Sequence, residues 1–218
     1  MTADDLTLAV PGAEVRLMLV RHAETPSNVR RILDTVLPGP GLTDLGRQQA
    51  LRLADRFATA KVHAVHASRA LRAQETARPL ADRHDLEVTV TDGVHEIFVG
   101  SLEGAGDLAS RRVFDRTYAR WLAGDLDVPM PRGETGRAAL TRFLSAAHQT
   151  LDAVPAGMVV MVSHGALLRL AAAHLSSNVT GNHDTVRHLP NTGVIVLEPA
   201  PATVTGWRCA HWDGLDPG

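Results

Sequence analysis

Two near-continuous apolar stretches, each leading into a histidine, constrain this chain more than any other feature. Val15-Arg16-Leu17-Met18-Leu19-Val20 leads into Arg21-His22-Ala23-Glu24-Thr25, and Met158-Val159-Val160-Met161-Val162 leads into Ser163-His164-Gly165. Near-continuous Val/Leu/Met runs of this length suit strands buried on both faces, as in a parallel or mixed sheet under helices. In such sheets ligands sit beyond the carboxyl ends of the strands. The two histidines, 142 positions apart, can therefore meet at one sheet edge. Arg21, beside the first, makes an anion the expected guest.

The rest of the chain supplies the helices such a sheet needs. Residues 1–14 read as a loose arm ending at Pro11-Gly12, and 15–218 as a single domain. Segment 29–41 closes in Pro38-Gly39-Pro40-Gly41 and reads as loop. Thr43 can cap a helix in which Gly46, Ala50, Leu53, Ala54 and Phe57 recur at helical spacing. A strand at about 62–67, a helix from Arg69 to His84 and a strand near Val88-Thr89-Val90 follow. Residues 98–133 are the least regular and suggest a small helical cap excursion over the sheet edge. Beyond it lie a helix at about 134–153, the strand at 158–162, a helix at 165–175, and late strands at 191–198 and 204–211. This alternation predicts an α/β fold, a three-layer α/β/α sandwich with a mostly parallel central sheet.

Charge narrows the function. A formal charge of −2 and a sequence pI near 6.6 give no whole-chain pull toward nucleic acid or an anionic membrane. Attraction for an anion must be local, and with 21 arginines to the single Lys61 it would come from guanidinium forks. The lone Cys209 rules out an intrachain disulfide, and no apolar run reaches the ~18 residues of a membrane span. The acidic Met1-Thr2-Ala3-Asp4-Asp5 lacks the basic start of a signal peptide, so the expected location is cytoplasmic.

An Arg-His pair alone carries little weight, since about one is expected by chance at this composition and the chain has three, at 21–22, 83–84 and 187–188. Only the first follows a buried strand. Its context adds Arg21-His22-Ala23-Glu24-Thr25-Pro26-Ser27-Asn28, then Leu42-Thr43-Asp44-Leu45-Gly46-Arg47-Gln48-Gln49-Ala50. Ser68-Arg69-Ala70-Leu71-Arg72-Ala73-Gln74-Glu75-Thr76-Ala77 follows, then His95-Glu96-Ile97-Phe98-Val99-Gly100-Ser101-Leu102-Glu103-Gly104, Gly133-Glu134-Thr135 and Val162-Ser163-His164-Gly165. In this order and spacing, over about residues 15–197, the chain resembles the histidine phosphatase superfamily on its phosphoglycerate-mutase-like branch.

The resemblance implies that His22 attacks phosphorus and carries the phosphoryl group covalently, while Arg21, Arg72 and His164 hold its non-bridging oxygens. Asn28 would add an amide hydrogen bond. Glu96 would protonate the leaving oxygen and then activate water. Phosphoryl transfer needs mainly alignment and charge neutralisation, so such a clamp supplies most of the catalysis. The implied activity is a phosphatase acting on small phosphomonoesters with no cofactor and no metal ion. The alternatives are phosphoglycerate mutase-type transfer and a phospho-ligand-binding protein without turnover. The expected partner is a small phosphorylated metabolite, with a homodimer as the one protein partner the reading allows.

Neighbouring candidates compete with some of these residues. Arg69 shares a helix start with Arg72 and reads as a rim residue, Glu103 as a structural hydrogen-bonder, and Glu24 and Thr25 as shaping the loop and starting a helix. His63 and His66, three apart in a strand, point to opposite faces and do not share a metal readily. His174, His183 and His188 have no ligand spacing, and His95 abuts Glu96 without an assigned role. Arg111, Arg112, Arg116 and Arg120 can greet an anionic substrate tail or simply face water. Two departures from the family pattern stand out. Ala23 replaces a more usual glycine and requires negative φ, and Asp34-Thr35 alters the loop after Asn28, placing a carboxylate that repels a second phosphate or faces solvent.

Overall fold

In the first apolar strand, β1 (Val15–Arg21), alternate residues enter different cores. Leu17 and Leu19 join one cluster, Met18 and Val20 another on the opposite face. A strand buried on both sides cannot show the alternation of a half-exposed one, which is why it reads as a continuous run. The computed structural model describes residues 6–10, 14–154, 156–179, 189–215 and 217.

Around β1 the chain adds α1 (Pro26–Arg30), α2 (Asp44–Arg56), β2 (Val62–Ser68), α3 (Leu71–Arg83) and β3 (Val88–Thr91). A 3-10 turn (Gly100–Leu102) and α4 (Leu108–Leu122) form the excursion, followed by α5 (Gly136–Asp152), β4 (Gly157–Ser163), α6 (Gly165–Leu175), β5 (Val194–Pro199) and β6 (Trp207–Trp212). The sheet runs β3-β2-β4-β1-β5-β6. The pairs β3/β2, β2/β4 and β4/β1 are parallel, and β5 is antiparallel to both of its neighbours. Residues from α2 and α3 fill one core, and residues from α4, α5 and α6 fill the other. This is the mixed α/β sandwich the patterning predicts. Each fully buried Val or Leu contributes about 1.5–3 kcal/mol, so the central strands are the most strongly held part of the molecule.

The helices start where their caps are. Thr43, Asp107 and Thr135 each accept a backbone N–H from the third residue beyond, at α2, α4 and α5. Thr25 and Asn28 form a reciprocal capping box at α1, so that helix begins before residue 29 and its last two residues run into the segment read as loop. Residues 6–10 depart from a loose arm. Leu6 and Leu8 are buried, the Trp207 indole donates to the Leu8 carbonyl, and His174 bonds the Leu6 carbonyl. Two apolar side chains and two hydrogen bonds dock this segment on the core. Among the described residues, no helix is long and apolar enough to cross a membrane.

Register places the site. Arg21 pairs with Ser163, the last residues of β1 and β4, and the His22 amide donates to the Ser163 carbonyl at 2.9 Å. The residue after each strand is a histidine, so the parallel register brings the two side by side.

Candidate active site

His22 and His164 meet edge to face, their ring centroids 5.2 Å apart. They line one cavity of about 230 Å3 together with Arg21, Asn28, Arg72 and Glu96. All six residues singled out from the sequence therefore converge on one place. Arg69 does not line it and pairs with Asp92 at the surface.

The His22 ring is oriented by its own backbone. Its Nδ1 lies 2.7 Å from the Ala23 carbonyl, which can only accept, so Nδ1 carries the hydrogen and Nε2 keeps the lone pair. The loop is tied down by two further contacts. The Ala23 amide donates to Thr76 Oγ1 at 2.9 Å, and Asn191 Nδ2 donates to the His22 carbonyl at 2.9 Å. Ala23 is not among the non-glycine residues with positive φ, so its methyl group costs nothing there. Burial, then the charges of Arg72 and Arg21, hold His22 well below the usual imidazole range, against an opposing pull from the Ala23 carbonyl. His22 is neutral, with a lone pair to offer.

Three buried side-chain nitrogens of residues lining this cavity have no hydrogen-bond partner among the described residues: Arg21 Nε, Arg72 Nη1 and His164 Nδ1. Their neighbours hold them still. Arg21 Nη1 donates to the Leu189 carbonyl at 2.7 Å, and Arg72 Nη2 to the Asp34 carbonyl at 3.0 Å. Gly39 makes room for Arg72. Its φ is +66°, and a Cβ there would collide with Arg72 Nη1. The Pro38-Gly39-Pro40-Gly41 loop is thus shaped around the guanidinium. Burial lowers both arginines from their ordinary value, opposed by Glu96 at Arg21 and by Asp34, Glu96 and Glu103 at Arg72.

Glu96 is the most heavily braced residue. Its carboxylate accepts from the Ile97, Ala166 and Leu167 amides at 3.0–3.2 Å, the last two in the first turn of α6. Arg142 donates to the carbonyls of Gly93, His95 and Glu96 and pairs with Glu134, which accepts the Phe98 amide. Ser163 Oγ donates to the Val94 carbonyl at 2.6 Å. Together these contacts fix the loop that carries Glu96. Asn28 is partly committed to structure, because its Oδ1 accepts from the Thr25 amide and from Asn191 Nδ2. With the oxygen held there, the Nδ2 amide group is what Asn28 can offer to a guest.

Sequence reasoning missed several contributors. Asp34 neither faces solvent nor stands apart. It accepts the Ser27 hydroxyl at 2.6 Å, and its carboxylate lies 3.9 Å from Arg72 Nη1. Arg169 lines the cavity too, its Nε bonded to the Gly165 carbonyl and its guanidinium 5.0 Å from the Tyr118 ring. Spacing of four from Gly165, along the helix behind His164, was the available signal. Glu103 accepts the Thr35 amide and hydroxyl, the structural role expected of it. Of the four cap arginines, Arg111 donates to the Arg31 carbonyl, Arg120 pairs with Asp125, and none lines the cavity. Arg187, His183 and His188 lie outside the described residues. Among the described residues, no three His, Cys, Asp or Glu side chains are grouped to hold a metal ion.

Two buried neutral imidazoles have a cost in acid. Burial lowers His164 well below its ordinary value, with Arg72 and then His22 adding to the effect. Below pH 6.5 the unfolded chain takes up protons at 22 and 164 that the folded chain refuses. Stability therefore rises with pH through this window and falls as pH drops from 6.5, by up to about 1.4 kcal/mol per pH unit for each imidazole. Denaturant midpoints at pH 7.5 and 5.5 should differ markedly for the native protein and less for His22→Gln/His164→Gln. Equal losses in both would show that the two rings titrate normally.

The chain has relatives among known proteins. Residues 17–213 match the histidine phosphatase superfamily (branch 1). A relative from Mycobacterium tuberculosis, PE-PGRS family protein PE_PGRS11, is 30% identical over 95% of this chain, which spans 38% of that relative's length. The adenosylcobalamin/alpha-ribazole phosphatase of Salmonella typhimurium is 30% identical over 74% of this chain and 79% of its own. A mycobacterial glucosyl-3-phosphoglycerate phosphatase superposes with a TM-score of 0.74, covering 90% of this chain and 97% of its own at 24% identity, which speaks to fold. A family match across nearly the whole sheet, found over the same strand ends that carry the two histidines, places the protein: the chain belongs to the histidine phosphatase superfamily, branch 1.

Proposed function

We propose that this protein is a phosphatase that hydrolyses small phosphomonoesters through a phosphohistidine on His22. The observation that carries the reading is the convergence on one cavity of a neutral His22, its Nε2 lone pair available, with Arg21, Arg72 and His164, each of which has a buried nitrogen without a hydrogen-bond partner among the described residues. Arg21, Arg72 and His164 take the non-bridging oxygens, with Asn28 Nδ2 as a fourth donor. His22 Nε2 forms a bond to phosphorus as the bond to the leaving oxygen breaks. Glu96 gives that oxygen a proton. In the second half, Glu96 takes a proton from water, the water oxygen attacks phosphorus, the N–P bond breaks, and inorganic phosphate leaves. The guanidinium charges neutralise what accumulates on the equatorial oxygens.

The Salmonella typhimurium relative named as a phosphatase, 30% identical over 74% of this chain, supports hydrolysis as the outcome. A mutase of the same family would instead return the phosphoryl group to a second hydroxyl and would depend on a bisphosphate primer. Purified protein given a small phosphomonoester in excess chelator should release inorganic phosphate without primer. Given 3-phosphoglycerate and 2,3-bisphosphoglycerate, it should release phosphate faster than it interconverts isomers. Primer-dependent interconversion with little free phosphate would make the protein a mutase, and loss of turnover on chelation would reject the metal-free mechanism.

A further inference from the structure

His164 and His22 are both neutral, but the cavity asks opposite things of them. His22 must present a lone pair, and His164 must present a hydrogen. A neutral imidazole has one of each, and the partner of one ring nitrogen decides which the other offers. At His22 that partner is a carbonyl. At His164 it is the Ser68 hydroxyl, which can give or accept, 3.0 Å from Nε2.

We propose that Ser68 is the positioning residue that sets the tautomer of His164, donating its hydroxyl hydrogen to Nε2 so that Nδ1 carries the hydrogen that meets the phosphoryl group. The choice of guest rests on the phosphatase reading; the tautomer is a property of the free protein.

Ser68 is the last residue of β2, fully buried beside the end of β4. The Ala70 amide donates to its Oγ at 3.2 Å. With an N–H already pointed at the oxygen, the hydroxyl hydrogen turns away, and His164 Nε2 is the acceptor the structure gives it. The opposite tautomer would leave that hydrogen without an acceptor in a buried site. It would also aim the Nδ1 lone pair into a cavity built to receive phosphoryl oxygens, where it repels them. In the proposed tautomer, Nδ1–H joins Arg21 Nε and Arg72 Nη1 as a third donor, matching the three unpartnered atoms found there. The ring cannot escape by turning, since His164 is fully buried, packs edge to face on His22 and caps α6 from extended backbone. Burial and the nearby Arg72 keep it from holding hydrogens on both nitrogens.

The test is nitrogen-15 NMR of histidine-labelled full-length protein, with His164→Gln used to assign the signal, alongside binding of inorganic phosphate and vanadate. His164 should show a protonated Nδ1 and a bare Nε2. Ser68→Ala should mix the two tautomers and weaken phosphate and vanadate roughly tenfold or more, as expected for a misdirected buried hydrogen bond. Ser68→Thr, which keeps the hydroxyl, should restore both readings. A bare Nδ1 in the native protein overturns the proposal, whether or not the alanine variant folds. An unchanged tautomer and unchanged affinity in a folded Ser68→Ala overturn it as well. Native protein that shows the predicted tautomer yet binds neither anion supports the assignment and sinks the phosphatase reading instead.

Discussion

His22→Ala should abolish turnover, by more than about 10⁴-fold as when a catalytic nucleophile is removed, and with it all covalent capture of phosphate. In the native protein, a reaction quenched within milliseconds should yield phosphate on the peptide containing His22, stable to base and released by acid. The effect follows from geometry: among the groups lining the cavity, His22 Nε2 is a lone-pair nitrogen flanked by two guanidinium groups. Arg21 and Arg72 are cations with no lone pair to give, and the proposed Nδ1–H of His164 points a hydrogen where a nucleophile would need electrons. Label on another residue, or turnover surviving in His22→Ala, would end the phosphohistidine mechanism.

The second large effect separates charge neutralisation from proton transfer. Arg72→Ala should lower kcat by about 10²–10³, the cost of losing one preorganised donor at developing negative charge, with aryl and alkyl phosphates suffering alike. The guanidinium faces oxygens common to every phosphomonoester, so the identity of the leaving group does not enter. Glu96→Gln keeps the shape but cannot supply a carboxylic proton. Its loss should be severe for alkyl phosphates, whose leaving oxygens need the proton, and mild for aryl phosphates, whose leaving groups depart as anions. Initial rates over a series of leaving groups measure this. A uniform loss for Glu96→Gln would remove it from the acid role, and a loss graded by leaving group for Arg72→Ala would remove that residue from the clamp.

The sheet and its two histidines were legible because burial on both faces leaves a run of Val, Leu and Met that no surface strand would carry. His22, His164 and Arg21 follow from where those runs stop. Arg72, Glu96 and Asn28 needed a resemblance, since nothing local distinguishes Arg72 from Arg69 or Glu96 from Glu103. The structure separates them by direction: Arg69 reaches outward to Asp92, Glu103 into the turn at Thr35. What stayed hidden are contacts between residues far apart in sequence, which leave no period to read. Asp34 against Arg72, Asn191 on the His22 carbonyl and Arg142 behind Glu96 are of this kind. The docking of Leu6 and Leu8 is another, because two apolar residues in a short arm carry no secondary-structure signal.

The six-stranded order puts β1 and β4 in the middle of the sheet. Arg21 and His164 therefore grow from the ends of the two central strands. The opposite wall of the cavity comes from Ile32 and Leu33 after α1, Val99 and Phe114 around the cap, and Leu189 before β5. These residues lie outside the central strands, and one of them, Leu189, also accepts a hydrogen bond from Arg21 through its carbonyl. On the phosphatase reading, changes in the segments that carry them would alter which phosphate ester fits, while the residues at the ends of β1 and β4 keep their places.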